Sequence, residues 1–202
     1  MTMAEKPKLG FAMCGSFCTH RDALDVLRSL VPDYEITPIL SFAASETDTR
    51  FGTAALLREQ LTAICGRPPV TTITEAEKFG PSAPLDLLCL CPCTGNTLAR
   101  LANGITDTPV TMAAKAHLRC DRPLLIALAS NDAMSANLSN LALLLNRKNI
   151  FFVPMLQDAP SSKPHSLVAD FSLTRDALSA MSSGRQLRPL FRGEWIKWRF
   201  LS

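Results

Sequence analysis

The stretch of sequence that decides the fold is Leu85–Asp107, LDLLCLCPCTGNTLARLANGITD. Its first part, Leu85–Leu90, is almost continuously apolar, which is typical of a strand buried on both faces of a parallel sheet. We expect Pro92 to end this strand, because proline cannot donate to a sheet ladder. A helical pattern of leucines begins at Leu98, so the residues between them form a strand-to-helix turn.

This turn is polar and flexible. It contains Thr94, Gly95, Asn96 and Thr97. A turn between the end of a buried strand and the start of a helix has free N–H groups and a dipole that favour an anion. The side chain of Asn96 can also offer paired donors and acceptors to a planar ring. The alternative interpretation is an ordinary loop in which Thr94 caps the helix.

Length and composition restrict the class of protein. The chain has 202 residues, 47% of them hydrophobic and 19% charged, which suits one domain with a large core. The formal net charge of +3 and the lack of a basic block with interleaved aromatics argue against nucleic-acid binding. No apolar run is long enough to span a bilayer, and the amino terminus lacks the apolar core of a secretory signal. We therefore expect a cytoplasmic protein.

Three of the seven cysteines, Cys89, Cys91 and Cys93, alternate along the predicted strand. Alternate residues of a strand share one face, so we expect these thiols to point toward the same helix layer. No second pair of Cys or His follows at zinc-ligand spacing, and we interpret the thiols as part of the core rather than as a metal site. Cys93 differs, because it lies where the strand ends and the loop opens.

Strands and helices alternate along the whole chain. This alternation predicts a three-layer α/β/α sandwich with a parallel, Rossmann-like sheet of about six strands. The predicted strands cover residues 8–14, 35–40, 70–73, 85–90, 123–129 and 149–153. The main predicted helices cover residues 21–30, 51–65, 109–118, 138–145 and 167–181, and residues 41–50 and 157–165 are predicted loops.

Polar clusters follow four of the predicted strands at their carboxyl ends. They are Gly15-Ser16, Ser41, Cys93–Thr97 and Ser130-Asn131. Right-handed crossovers bring the carboxyl ends of parallel strands to one edge of the sheet, where ligands of such sheets bind. The first cluster alone is equally well explained as a tight turn. The convergence of all four predicts a ligand site at this edge.

We expect a single domain over residues 8–191. The remaining residues, 192–202, differ in composition and contain both tryptophans, Trp195 and Trp198. This tail is either an amphipathic aromatic segment that packs on a neighbour or an appended remnant outside the fold.

The clusters resemble those of the flavoprotein family, which includes homo-oligomeric FMN-containing cysteine decarboxylases and flavin prenyltransferases. The shared marks are Gly15-Ser16, the stretch 92–97 (PCTGNT) and Ser130-Asn131. The resemblance implies a Rossmann-like sheet, trimer-based homo-oligomers, and FMN held at the boundary between two protomers.

A more specific resemblance, to one subunit of a two-subunit oxidoreductase within this family, runs from about residue 8 to residue 191. The motifs that carry it are GSFCTH (15–20), TRFG (49–52), TDTPVTMAAK (106–115), KNIFFVP (148–154) and KPHS (163–166). It implies a partner subunit with a nicotinamide site, for NADP, and a small dicarboxylate substrate of the dihydropyridine class.

Carried over position by position, the family resemblance implies roles for individual residues. Gly15 and Ser16 would hold the flavin phosphate, and Ser41 would reach the phosphate or the ribityl chain. Asn131 matches the asparagine of the decarboxylases' Pro-Ala-Met-Asn motif and would orient the substrate ring. The other implied cofactor-binding residues, which line the ribityl chain and the ring, are Cys93, Thr94, Asn96, Thr97 and Ser130.

The chain departs from the decarboxylases after the second strand, where residues 42–52 contain no histidine. We therefore do not expect peptidyl-cysteine decarboxylation. Arg50 is the candidate for binding a substrate carboxylate, because a fixed cation near the rim favours a dicarboxylate. A surface ion pair is the alternative for Arg50. Two further functions stay open, namely a scaffold or regulatory subunit that does no chemistry and a self-sufficient FMN enzyme.

Overall fold

The structure, a computed structural model, describes residues 5–193. The strands are β1 (Lys8–Met13), β2 (Glu35–Leu40), β3 (Leu87–Cys93), β4 (Leu124–Ser130), β5 (Ile150–Phe152), β6 (Met155–Leu156) and β7 (Leu167–Ala169). The helices are α1 (His20–Leu30), α2 (Phe42–Glu46), α3 (Ala54–Cys65), α4 (Ile73–Ala76), α5 (Gly95–Ala102), α6 (Pro109–Leu118), α7 (Leu138–Leu145) and α8 (Thr174–Ser182). Both tryptophans of the predicted tail lie outside the described residues.

The sheet has a parallel part in the order β2-β1-β3-β4-β5, and the predicted α/β sandwich is confirmed. The carboxyl end of β4 continues past β5 and pairs there with β7 in antiparallel fashion. Strand β7 in turn pairs with β6, also in antiparallel fashion. The strand order reverses direction between β1 and β3. In sheets of this kind that reversal opens a crevice at the carboxyl edge, where ligands bind.

Helices cover both faces of the sheet, so two cores form. One core packs under α1, α3 and α8, and its largest fully buried side chain is Phe11. The other packs under α5, α6 and α7 and contains Phe152. Within the described residues, no helix combines the length and the apolar character needed to cross a membrane.

The strand β3 continues through Pro92, which was expected to end it. Its register against β4 shifts between Leu90 and Cys93. Because of this shift, Cys93 joins the core under α5 and α6, whereas Cys89 and Cys91 face the opposite core. The expectation that the three thiols share one face is therefore wrong for Cys93.

Three short segments also differ from expectation. The predicted loop 41–50 contains helix α2, which is capped by Ser41. Of the predicted strand 70–73, only Val70 pairs with the sheet, as an isolated bridge to Ile39, and α4 begins at Ile73. The predicted helix 167–181 contains strand β7 first, and α8 begins at Thr174. Three-residue strands carry too few side chains to show a period of two, so sequence periodicity does not reveal them.

The buried side chain of His117, on α6, is held as a neutral imidazole. Its exposed fraction is 0%, and its Nε2 lies 2.9 Å from the carbonyl oxygen of Pro123. Since a carbonyl only accepts, Nε2 carries the hydrogen. Its Nδ1 has no hydrogen-bond partner within residues 5–193. Burial lowers the pKa of His117, because a charged ring would lose its hydration there.

This histidine predicts a loss of stability in acid. The unfolded chain, where the pKa of His117 is about 6.5, binds the proton before the folded chain does. The stabilisation is therefore fully present above the unfolded pKa of about 6.5 and is lost as the pH falls from there through the lower pKa of the folded state. We expect the free energy of unfolding in urea to fall more steeply with decreasing pH for the wild type than for His117→Gln, whose amide can still donate to the carbonyl of Pro123.

The control is His165→Gln, because His165 is exposed. This variant should keep the pH dependence of the wild type. Burial also lowers the pKa of His20, so His117→Gln should reduce the dependence without abolishing it. Identical pH dependences for His117→Gln and the wild type would contradict the assignment.

Candidate functional site

A cleft lies at the carboxyl edge of the sheet, where the loops after β1, β3 and β4 meet. Its volume is about 410 Å³, which is within the range of small-molecule sites. The lining residues are Gly15, Ser16, Phe17, Cys18, Phe51, Thr94, Gly95, Asn96, Ala129, Ser130, Asn131 and Asp132. Three of the four predicted clusters therefore come together, although they are far apart along the chain.

The first side of the cleft is the turn after β1. Ser16 precedes a short 3-10 helix, Phe17–Thr19, that leads directly into α1. The first N–H groups of such a helical run have no intrahelical acceptor. The hydroxyl of Ser16 makes no capping bond to the helix. This turn therefore offers N–H and O–H donors to an anion.

Gly15 lets the chain pass close to α2. A Cβ atom at Gly15 would lie 3.2 Å from the Cβ of Ala43 and 3.5 Å from the ring of Phe17. The turn and the short helix α2 are therefore packed against each other with little spare room. A glycine at this position keeps the backbone donors of the turn accessible from the cleft.

The second side of the cleft is the start of α5. The Thr94 side chain accepts a hydrogen bond from the Thr97 amide at 3.3 Å, so Thr94 is the helix cap that the sequence also allowed. Asn96 is exposed, and its side-chain amide makes no hydrogen bond within the described residues. Asn131 on the third side is likewise exposed. These two amides are free to bind a ligand.

The third side contains a hydrogen-bond network that sequence reasoning missed. The Asp132 carboxylate accepts from the Ser130 hydroxyl at 2.5 Å and from the Asn137 amide at 2.8 Å. Asn137 in turn accepts from Asn140 at 2.9 Å. The network joins the end of β4 to the start of α7. Its only sequence signal was the polar run Ser130-Asn131-Asp132.

This network packs directly on Gly95. A Cβ atom there would lie 2.5 Å from Ser130 Oγ, 2.7 Å from Asn137 Nδ2 and 2.8 Å from Asp132 Oδ1. The start of α5 therefore approaches the β4 loop as closely as a glycine permits. Among the described lining residues, Asp132 is the only carboxylate of the cleft.

Cys93 and Thr97 lie under the cleft rather than in it. Cys93 is fully buried, and Thr97 Oγ1 donates to Cys14 Sγ at 3.3 Å. Hydrogen bonding from Cys93, and also from Thr97, holds the pKa of the Cys14 thiol below its ordinary value. The same contact with Cys14, together with burial, raises the pKa of Cys93. The Cys93 thiol therefore stays protonated and acts as an internal donor.

Ser41 and Arg50, two further predicted site residues, do not line the cleft. Ser41 is 7% exposed and its hydroxyl caps α2, accepting from the Ala44 amide at 3.3 Å. The Arg50 guanidinium carbon lies 4.8 Å from the centre of the Phe51 ring. Phe51 does line the cleft, with 55% of its surface exposed. Arg50 is thus one residue removed from the cleft wall.

The described residues contain no group of three or more His, Cys, Asp or Glu side chains that could hold a metal ion. The donors of the cleft are backbone N–H groups, hydroxyls and amides, with one carboxylate at the β4 side. Such a set suits an organic ligand that has an anionic end and a hydrogen-bonding planar end.

The strand reversal of a Rossmann-like sheet is where α/β proteins of this class bind their ligands, and the sequence comparison agrees with this fold class. The chain belongs to the flavoprotein family, whose sequence profile, described as Flavoprotein, matches residues 1–175. Over 191 residues it is 37% identical to the B subunit of dipicolinate synthase from Bacillus subtilis (strain 168), covering 94% of this chain and 96% of that protein.

Comparison with solved structures agrees with this family assignment. The B subunit of dipicolinate synthase from Bacillus halodurans superposes with a TM-score of 0.86 at 35% identity, covering 95% of this chain and 98% of that one. The FMN-dependent cysteine decarboxylase SpaF superposes with a TM-score of 0.62 at 25% identity, covering 88% and 94%.

Proposed function

We propose that this chain acts as the B subunit of a dipicolinate synthase. In this role it works with an A subunit that carries a nicotinamide site, for NADP, and the pair oxidises dihydrodipicolinate to dipicolinate during sporulation. The observation that supports this proposal best is the similarity to the B subunits of two dipicolinate synthases, which extends over almost the whole length of each chain.

The residues of the cleft fit a flavin mononucleotide. At this turn the N–H groups of Gly15 and Phe17 and the hydroxyl of Ser16 have no partner within the described residues and can donate to a phosphate, whereas the N–H of Ser16 donates to the Cys14 carbonyl. Across the cleft, Asn96 and Asn131 have free amides, and Asp132 provides acceptor oxygens. A flavin ring carries both N–H and C=O groups along one edge, so donors and acceptors are both needed there. The FMN-dependent relative SpaF shares the fold.

In this proposal each side of the cleft has a separate task. Gly15 and Ser16 bind the phosphate, whereas Thr94 and Asn96 contact the ribityl chain and ring. Asn131 orients the substrate ring, and Ser130 holds the Asp132 carboxylate in place. Cys93, Thr97 and Ser41 support the cleft from below, through the core and the α2 cap.

The reaction itself requires an electron acceptor. Conversion of a dihydropyridine to a pyridine removes two electrons and two protons from the ring. A bound flavin would supply two-electron chemistry, as would the nicotinamide of the partner. This chain's own residues bind and orient the substrate, and Arg50 offers a cation to one of its two carboxylates.

A visible absorption spectrum of the purified chain tests the flavin part of the proposal. We expect the absorbance of bound flavin, either as purified or after titration with FMN. Dipicolinate formation from dihydrodipicolinate is then measured with only the A subunit present and with both subunits mixed. A chain that ignores added FMN and does not increase turnover by the A subunit would contradict the proposed function. A chain that increases turnover without binding FMN would support the scaffold alternative.

Asn96→Ala tests the placement of the ligand. We expect this variant to bind FMN about 5- to 10-fold more weakly than the wild type, because one uncharged hydrogen bond contributes about 1 kcal/mol. Fluorescence titration of FMN measures the difference. The matched control is Asn146→Ala, at the end of α7, where the amide only donates to the Ala142 carbonyl. An Asn96→Ala titration that matches the wild type would exclude Asn96 from the site.

A further inference from the structure

A second cavity opens beside the cleft, between α1 and α3. Its volume is about 600 Å³, and we call it the α1–α3 pocket. Phe17, Cys18 and Phe51 line both this pocket and the cleft. The two cavities therefore meet at these three residues, and a ligand in one lies next to a ligand in the other.

The α1–α3 pocket carries an uncompensated positive charge. Its charged lining residues are Arg21, Asp25 and Arg28. Arg28 Nη1 lies 2.7 Å from Asp25 Oδ1, so these two charges neutralise each other. The guanidinium of Arg21 has no ion-pair partner within residues 5–193. Arg21 is thus available to bind an anion.

The walls of the pocket are partly apolar. Leu24 and Leu57 line it together with the aromatic ring of Phe51. Phe51 is unusually exposed for its size, and the guanidinium of Arg50 lies over its ring. The exposed ring of Phe51 and the unpaired guanidinium of Arg21 line the same pocket. Together they favour a flat, anionic ligand, because such a ligand can pack on the ring and pair with the guanidinium at once.

The charges of the two cavities differ in a way that separates their ligands. The only carboxylate among the described lining residues of the cleft, Asp132, lies on its β4 side and disfavours an anionic group there, whereas the pocket contains the unpaired Arg21. The cleft in turn has the backbone donors and free amides that suit a nucleotide. The carboxylate of a small ring is therefore better accommodated on the pocket side, with the ring itself at the boundary with the cleft that Asn131 lines.

We propose that the α1–α3 pocket binds a small planar aromatic carboxylate. Its carboxylate pairs with Arg21, and its ring packs against Phe51 at the boundary with the cleft. This inference rests on the proposed function, to which it adds the place of the substrate. Arg50 then contributes by holding the Phe51 ring and by providing a second cation nearby.

Isothermal titration calorimetry of the full chain tests the inference, with pyridine-2,6-dicarboxylate as the probe. We expect Arg21→Gln to weaken binding of the probe about tenfold or more, since a hydrogen bond to a charged group contributes about 1.5–3 kcal/mol. Phe51→Leu should also weaken binding, and pyridine without carboxylates should not bind. The control is Arg185→Gln, an exposed arginine outside both cavities.

The outcomes separate this inference from the proposed function. FMN titration of Arg21→Gln should match the wild type, which shows that the variant is folded and that the cleft is intact. If the wild type does not bind the probe, or if Arg21→Gln binds it equally well, the inference is overturned. Displacement of the probe by inorganic phosphate at equal concentration would also overturn it, by showing an anion site without selectivity for a ring. Probe binding that depends on Arg21 in a chain that ignores FMN would leave the inference standing and contradict the flavin site.

Discussion

Gly95→Ala is expected to weaken FMN binding about fivefold or more, because the start of α5 that lines the cleft must shift and overpacking at a tight site costs about 1–3 kcal/mol. The added methyl group would lie 2.5–2.8 Å from three side-chain atoms, on Ser130, Asn137 and Asp132. Single side chains of this kind can turn away at small cost. Here the three are hydrogen-bonded to one another, so moving one breaks its bonds to the others.

A double variant controls for this effect. Ser130→Ala removes the closest oxygen, at 2.5 Å from the added carbon. We therefore expect Gly95→Ala/Ser130→Ala to recover part of the thermal stability that Gly95→Ala loses, as measured by circular dichroism melting. If Gly95→Ala alone keeps both the melting temperature and the FMN affinity of the wild type, the α5 start is not tightly packed against the β4 loop.

Asp132→Ala is expected to lower the free energy of unfolding by about 1–3 kcal/mol, which is the usual cost of leaving buried polar groups without their partners. The Ser130 hydroxyl and the Asn137 amide would both lose their acceptor. Asn137 is buried, so water replaces the lost acceptor poorly. Asp132→Asn should lose less, because its carbonyl oxygen can still accept from Asn137.

Urea unfolding measures these differences, and Asp107→Ala is the matched control. Asp107 is an exposed carboxylate that pairs with Arg100 at 2.9 Å, and loss of an exposed pair costs at most about 1 kcal/mol. FMN affinity should fall in Asp132→Ala and stay unchanged in Asp107→Ala. Equal stabilities of Asp132→Ala and Asp107→Ala would show that the network does not hold the β4 loop.

The sheet edge could be predicted from sequence, because its signals are local and strong. The apolar run ending before Pro92 and the polar turn after it identify a buried strand that opens into a loop. The same pattern at Gly15-Ser16 and at Ser130-Asn131 then needs only the handedness rule to bring three loops together. The cleft lined by these residues agrees with that argument.

The direction of individual side chains was less predictable. Cys93 turned to the other core through a register shift, which depends on how β3 meets β4 and not on the sequence of β3 alone. Ser41 follows a strand just as Ser16 does, yet its hydroxyl turns inward to cap α2. A hydroxyl after a strand can cap a helix or face a ligand, and the residue type does not distinguish the two.

The Asp132 network could not be read from periodicity at all. Asn137 and Asn140 lie near the start of α7, where polar residues are expected on an exposed surface. Asn137 reaches Asp132, and Asn140 joins the network through Asn137, only because the loop after β4 folds back on itself, with the backbone N–H groups of Ser135 and Asn137 bonded to the Asp132 carbonyl. Contacts of this kind depend on tertiary structure, which a single sequence does not show.

The lateral borders of the sheet bear on how copies of this chain can associate. At one border, Val70 exchanges backbone hydrogen bonds with the outer side of β2, at Pro38 and Leu40. At the opposite border, Leu190 and Arg192 bond to Met155 of β6, and the side chain of Gln186 occupies the outer backbone groups of Phe152 in β5. These blunted borders leave few unpaired ladder groups for a strand from another copy. Growth of a continuous intermolecular sheet is thereby disfavoured, and helices and loops remain as the surfaces through which copies can meet.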